Sequence, residues 1–295
     1  MKTPRRILLK AHAKINLGLL VLRKREDGFH DIETIFSEID WHDLVEIHDA
    51  PGISMECTLP SLPADASNLC MKAAALLRGW TNCEGGAHIR LVKNIPVGSG
   101  LGGGSSDAAA VLTGLNLLWG TGISAIDLAR LGAQLGSDVP FFIVGGSAFG
   151  TGRGELLEHR PATLPYWILT VVPPLHISTA WAYGNVSPQE GSSARSLRAL
   201  FERLETPSTD HLSALVNDFE EPVFRSYPAI RQLKQELAES GSICSLMSGS
   251  GSSVFGLFAD ERDAQDAVSR FPVEYRTFLT PPHFHRGAID LPLPV

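Results

Sequence analysis

The segment Pro96-Val97-Gly98-Ser99-Gly100-Leu101-Gly102-Gly103-Gly104-Ser105-Ser106 carries five glycines between positions 98 and 104, followed by two serines. Glycines remove the side chains that would hold a phosphate away from the backbone. The hydroxyls of Ser105 and Ser106 suit either a helix cap or phosphate oxygens. An apolar strand precedes the loop and Asp107-Ala108-Ala109-Ala110 opens a helix, so free N–H groups and a positive helix end converge on one spot. That chemistry predicts a nucleotide phosphate cradle. It is not a P-loop, because Gly104 stands where the lysine is required. Gly98, Gly100 and Gly103 also spell the dinucleotide fingerprint. The ribose-binding acid expected about 20 residues on is missing from Leu117 to Gly122.

Two charged residues sit in apolar surroundings. Lys14 lies between Ala13 and Ile15, with Asn16 on the same strand face. It reads as an edge lysine reaching for water or as a cation facing a cleft. Asp138 precedes Val139-Pro140-Phe141-Phe142, which suits a helix cap or a carboxylate presented beside an apolar wall. A second glycine-serine stretch, Ser248 to Ser253, joins two apolar strands as a hairpin turn or as a cover over the phosphate site. The ten histidines form no zinc-hydrolase pattern and the serines no nucleophile elbow.

The elements that must position these residues are strands over Ile7–Leu22 and Ile32–Ile47, the latter broken at Asp40–Asp43. A helix is expected from a Ser67 cap to Trp80, then a strand over Ala87–Val92. After the loop, Ala108, Val111, Leu112, Leu115 and Leu118 recur at helical spacing. Ser124 opens another helix, and a strand pair spans Gly145–Glu158. A boundary is expected near Arg160–Pro165, giving residues 1–160, 161–280 and a proline-rich tail, 281–295, packed as coil or loose. The second part reads as a strand over Trp167–Val172, then mostly helix from Ser178 to Gly241. Strands at Ile243–Met247 and Val254–Phe258 follow, then helix Glu261–Phe271 and strand Glu274–Phe278. Irregular mixing of strands and helices favours an α+β fold.

The net charge of −7 argues against nucleic acid as a partner. No apolar run is long enough to span a membrane. Four cysteines without C-x-x-C spacing fit reduced thiols in a cytoplasmic protein.

Three segments in order, Ala13-Lys14-Ile15-Asn16-Leu17, Pro96–Ala109 and Met247-Ser248-Gly249-Ser250-Gly251, resemble those of the GHMP kinases. Asp27-Gly28-Phe29-His30 and Ser137-Asp138-Val139-Pro140-Phe141 narrow the resemblance to kinases of the non-mevalonate isoprenoid pathway that act on a cytidyl-diphosphate alcohol. Phe29 stands where that group usually has tyrosine, and Ser137 where it usually has alanine. The resemblance implies a ribosomal-protein-S5-like N-terminal domain and a ferredoxin-like C-terminal domain, with substrate and ATP meeting between them. It implies Lys14 and Asp138 as catalytic residues, Pro96–Ser106 as the ATP loop, and Asn16, Phe29, His30 and Tyr183 as substrate contacts. Mg²⁺ is expected with ATP, with Ser106 and Asp107 as candidate ligands. Another GHMP kinase of homoserine or phosphomevalonate type, and a non-catalytic GHMP-fold binding protein, are the alternatives.

Overall fold

The computed structural model describes residues 6–188, 196–207 and 209–287. The first half of the chain builds a sheet from β1 (Arg6–Lys24), β2 (His30–Ala50), β3 (Ile53–Cys57), β4 (Gly86–Val92), β5 (Ser147–Thr151) and β6 (Leu156–Arg160). β2 is the hub of that sheet. Antiparallel β1 runs along one edge, while β4 and β5 take successive stretches of the other. β3 lies parallel to β4, and β6 antiparallel to β5. The expected break at Asp40–Asp43 is a bulge instead. His12 pairs with His42 but Ala13 pairs with Ile39, so Asp40 and Trp41 are extra residues in a strand that its long partner keeps continuous.

Helices α1 (Leu69–Thr81), α2 (Gly103–Trp119), α3 (Ala125–Gly132) and α4 (Val139–Val144) cover this sheet. The expected face of α2 is buried, from Ala108 to Leu118, among Ile7, Leu9, Val45 and Ile47 of the sheet. Each leucine or isoleucine so buried contributes roughly 1.5–3 kcal/mol. α1 is capped by Asn68, whose side chain accepts from Cys70 N at 2.9 Å. Ser67, the expected cap, bonds Asp65 instead. α3 starts as expected, with Ser124 Oγ accepting from Asp127 N.

β7 (Trp167–Val172) leads to short helices α5 (Thr179–Asn185), α6 (Arg198–Phe201), α7 (Thr209–Ser213) and α8 (Glu220–Ser226). α9 (Pro228–Glu239), β8 (Cys244–Met247), β9 (Val254–Phe258), α10 (Glu261–Val268) and β10 (Arg276–Thr280) follow. The sheet order is β10-β7-β9-β8, all antiparallel. In chain order that is 4-1-3-2 with a helix after the first and third strands, the ferredoxin-like arrangement. The fold is α+β with two sheets, and one apolar cluster joins them: Ala13, Ile15 and Leu17 of β1 share it with Ile168, Phe255 and Leu257.

The tail is docked as far as it is described. Arg286 donates to Phe142 O and Ile143 O at 2.9 Å each, satisfying carbonyls at the end of α4. Residues 288–295 lie outside the described residues, so the expectation for that end of the tail stays open. Among the described residues no helix is long and apolar enough to cross a membrane, and all four cysteines are free.

Candidate active site

A cleft of about 490 Å³ opens where β1, the glycine loop, α5 and the β8–β9 turn meet. Gly98, Gly100 and Gly102 all hold positive φ, at 68°, 83° and 72°. Glycine is needed here for packing as well as conformation. A Cβ on Gly100 would lie 2.4 Å from Ser248 O, and one on Gly102 would lie 2.7 Å from the Phe142 ring. Leu101 is fully buried and anchors the loop, and its carbonyl accepts from Lys14 N at 3.0 Å. α2 then begins on Gly102, with no side-chain cap and no acid in its first turn. The N–H groups of Gly103, Gly104 and Ser105 therefore have no partner within the helix, and all three residues line the cleft.

Of the expected loop residues, Leu101 and Ser106 do not line the cleft. Ser106 is turned inward and its hydroxyl donates to His12 O at 2.6 Å, so neither serine is the helix cap. Pro96, Val97, Gly98, Ser99, Gly100, Gly102, Gly103, Gly104 and Ser105 all face it.

Lys14 is buried, its side chain 5% exposed, and its ammonium sits 3.7 Å from Asp138 Oδ2. Asp138 occupies the N-cap place before α4, but its side chain makes no cap bond and stays one-third exposed to the cleft. A chain of buried hydrogen bonds fixes the lysine. Lys14 Nζ donates to Asn16 Oδ1 at 2.6 Å, Asn16 Nδ2 donates to Thr34 Oγ1 at 2.7 Å, and Thr34 donates to Gly18 O at 2.7 Å. Each donor–acceptor role follows from the one before, so the amide of Asn16 has one orientation. Burial lowers the lysine's pKa, and the nearby Asp138 only partly restores it.

The second glycine-serine loop closes against the first. Ser248 Oγ accepts from Asn16 N and donates to Gly100 O, and Ser253 N donates to Ser99 O. Asn217 holds this loop from below, its Nδ2 donating to Met247 O at 2.7 Å and Gly249 O at 2.8 Å. Gly249 and Ser250 reach the cleft.

Sequence reasoning missed Lys93, which has no glycine or apolar run to flag it. Its ammonium bonds Asp43 Oδ2 and, at 2.7 Å, Asp107 Oδ2, all three side chains being buried. Asp43 Oδ1 accepts from Asn94 N at 2.5 Å and Ile95 N at 2.8 Å, so this ion triad clamps the entry to the glycine loop. Burial alone would lower the lysine's pKa, but the two carboxylates raise it. Asp107 is pushed up to about 8, by burial first and by Asp43, against the pull of Lys93. Leu62, Pro63, Ser67, Asn68 and Leu69 also line the cleft and carry no motif that could have found them.

Of the four expected substrate contacts, Asn16 and Tyr183 line the cleft, while Phe29 and His30 do not. His30 is buried and stacks on Tyr183, with ring centroids 5.1 Å apart at 28°. Phe219 meets the Tyr183 ring edge-on at 4.8 Å. Phe29 is exposed, and its ring lies 4.7 Å from the Arg153 guanidinium, a residue that does line the cleft.

Family models for the GHMP kinases N terminal domain and the GHMP kinases C terminal domain match residues 68–146 and 196–276. A 4-diphosphocytidyl-2-C-methyl-D-erythritol kinase of Chlorobium phaeobacteroides is 48% identical over 94% of this chain and 98% of its own length. One of Pelodictyon phaeoclathratiforme is 47% identical with the same coverage. A crystal structure of a 4-(cytidine 5'-diphospho)-2C-methyl-D-erythritol kinase superposes with a TM-score of 0.79 at 33% identity, covering 93% of this chain and 98% of that one. A homoserine kinase from Cytophaga hutchinsonii has a TM-score of 0.77 at 18% identity over 96% of each chain, which is likeness of fold alone.

Proposed function

The chain belongs to the GHMP kinases, and from that premise we propose that it moves the γ-phosphoryl group of ATP onto the 2-hydroxyl of 4-diphosphocytidyl-2-C-methyl-D-erythritol. The observation that carries this reading is Lys14 beside Asp138 in the same cleft as a capless helix start and three left-handed glycines. Relatives at 47–48% identity over nearly the whole chain carry the name of that kinase, which supports this acceptor over other alcohols.

The division of labour follows from the geometry. The loop and the start of α2 supply N–H donors for the phosphates. Asp138 takes the proton as the hydroxyl oxygen bonds to the γ-phosphorus and the bond to the leaving ADP oxygen breaks. Lys14, held by Asn16, lends positive charge to the oxygens among which negative charge spreads. Lys14 also favours the charged form of Asp138, which makes the carboxylate a weaker base; the two effects partly oppose. Asp107 fits Mg²⁺, because its Oδ1 is a buried oxygen without a hydrogen-bond partner at the loop. Ser106 does not fit, since it is buried and turned away from the cleft toward His12 O. Asp107 would hold the ion at the loop, and the chemistry the ion would supply there is neutralisation of phosphate charge.

Tyr183 supplies the aromatic face for the cytosine, with His30 stacked on it to hold its angle or meet the base edge, and Phe29 beside Arg153 at the rim. Residues 1–160 and 161–280 act as the two lobes of the cleft, supported by the change of sheet between Arg160 and Trp167. A cytoplasmic setting belongs to the same proposal. The test is ADP formation with the cytidyl alcohol, homoserine and mevalonate offered in parallel. Turnover is expected with the first alone. Preference for another alcohol would overturn the assignment, and no turnover with any would make the protein a binder.

A further inference from the structure

The bulge in β2 places Asp40 and His42 against His12 of β1, and each of the three offers a donor atom within 4.8 Å of the other two. The His12 side chain is 4% exposed, and its Nδ1 has no hydrogen-bond partner. With no hydrogen-bond partner in reach, this buried Nδ1 is free to present a lone pair. That lone pair lies 3.8 Å from Asp40 Oδ1, too far for a hydrogen bond. His42 Nδ1 donates to the Asp40 backbone carbonyl at 2.6 Å, which leaves Nε2 as its ligating atom. An imidazole with one nitrogen anchored on a backbone carbonyl, as in His42, has the outer-shell arrangement of a metal-binding histidine, and the Asp40 carboxylate between the two rings has no close partner. Donors around a tetrahedral zinc ion sit about 3.4 Å apart, from bond lengths of about 2.0–2.1 Å, so these three residues, with donor atoms within 4.8 Å of one another, would draw together by up to about 1.4 Å to close the set.

We propose that His12, Asp40 and His42 bind one borderline divalent transition-metal ion, of the zinc class, which staples β1 to the bulge of β2. Imidazole and carboxylate donors favour that class over Mg²⁺ or Ca²⁺, and the partly exposed Asp40 and His42 leave an open position for water. Phe284 closes the site from the tail, its ring 5.2 Å from that of His12. Lys10 and Arg286 also face His12, and their charge opposes a cation, so the affinity is modest and the ion is taken up on addition. The site is separate from the cleft, and its occupancy does not depend on the kinase reading.

The test is equilibrium dialysis of chelator-stripped full-length protein against Zn²⁺, with melting temperature as a second readout. Wild type is expected to take up one ion per chain and melt higher, with no such rise in Mg²⁺. Asp40→Asn and His42→Ala, both at partly exposed positions, are expected to bind at least about tenfold more weakly. They keep the test decisive if His12→Ala fails to fold. His88→Ala is the control, because His48 and His88 form another ring pair at 5.0 Å. Equal uptake by wild type and His42→Ala, or loss only in His88→Ala, would overturn the proposal.

Discussion

Lys14 and Lys93 are the same residue type at almost the same burial, with side chains 5% and 4% exposed, yet their surroundings drive them opposite ways. Lys93 touches two buried carboxylates and its pKa rises. Lys14 touches a neutral amide and has one carboxylate at 3.7 Å, and its pKa falls because burial outweighs that single partner. At one end of the glycine loop the positive charge is consumed by the protein. At the other it is left under-neutralised, facing a cleft, and available to an anionic ligand. On the proposed reading, two buried lysines divide into a clamp and a reagent, and the number of carboxylates within reach decides which is which.

The largest effect should come from the reagent end. Asp138→Asn keeps size but removes the proton acceptor, and kcat should fall by about 10²–10⁴ while ATP still binds. Lys14→Met should also depress kcat more than it weakens ATP binding. Steady-state kinetics beside nucleotide calorimetry checks both. Retention of more than about a tenth of turnover by Asp138→Asn would remove Asp138 from its role and dissolve the contrast.

The clamp end should answer in stability instead. Lys93→Met leaves Asp43 and Asp107 buried without their counter-charge, and breaking such a pair costs about 3–5 kcal/mol. Urea unfolding measures it. A large loss of kcat with unchanged stability would mean that Lys93 is also a reagent.

Tyr183 lies at the Lys14 end and should affect one substrate only. Removing a stacking partner is worth about 1–3 kcal/mol, a five- to 150-fold rise in KM if binding is at equilibrium. Tyr183→Ala should raise KM for the cytidyl alcohol and leave KM for ATP alone. If both constants move, or neither does, the tyrosine only supports His30 and Phe219.

The reagent end was legible in the sequence and the clamp was not. Lys14 and Asn16 are two apart on a strand, a spacing that declares a shared face, and the glycines announce a loop by composition. Asp138 before an apolar run suits a helix cap as well as a presented carboxylate, and it is the resemblance to the GHMP kinases that pairs it with Lys14. Lys93 and Asp43 meet only because β2 and β4 pair, Asp107 joins them from the start of α2, and nothing in Val92-Lys93-Asn94 distinguishes a clamp from a solvated turn. The serines after the glycines misled for a related reason. Their hydroxyls suit a cap or phosphate oxygens, whereas α2 is capped at Gly102, three residues before Ser105, and turns Ser106 into the sheet. Leu101 is buried and Gly102 lies against Phe142, so Gly102→Val would disturb packing as well as ATP binding.

The smallest effect sharpens the clamp itself. Asp107 has its pKa raised from 3.8 to about 8, so between those values the folded protein holds a proton that the unfolded chain has released. Stability then falls as pH rises, by at most about 1.4 kcal/mol per pH unit from this group. The contribution is full below the unfolded value and lost as pH passes through the folded one. His12, His30 and His159 have lowered pKa values and act the other way, but only up to about 6.5, where an unfolded histidine gives up its proton. Lys93, raised above 10.5, contributes no slope near neutrality. Lys14, whose pKa is lowered, opposes Asp107 as pH rises toward 10.5, and Glu38, whose pKa is raised, acts with it, so Asp107 is isolated by difference: between pH 7 and 8 the stability of Asp107→Asn should fall less steeply than that of wild type in urea unfolding. Parallel lines would mean that Asp107 is ionised throughout, with Lys93 balancing two full charges instead of one.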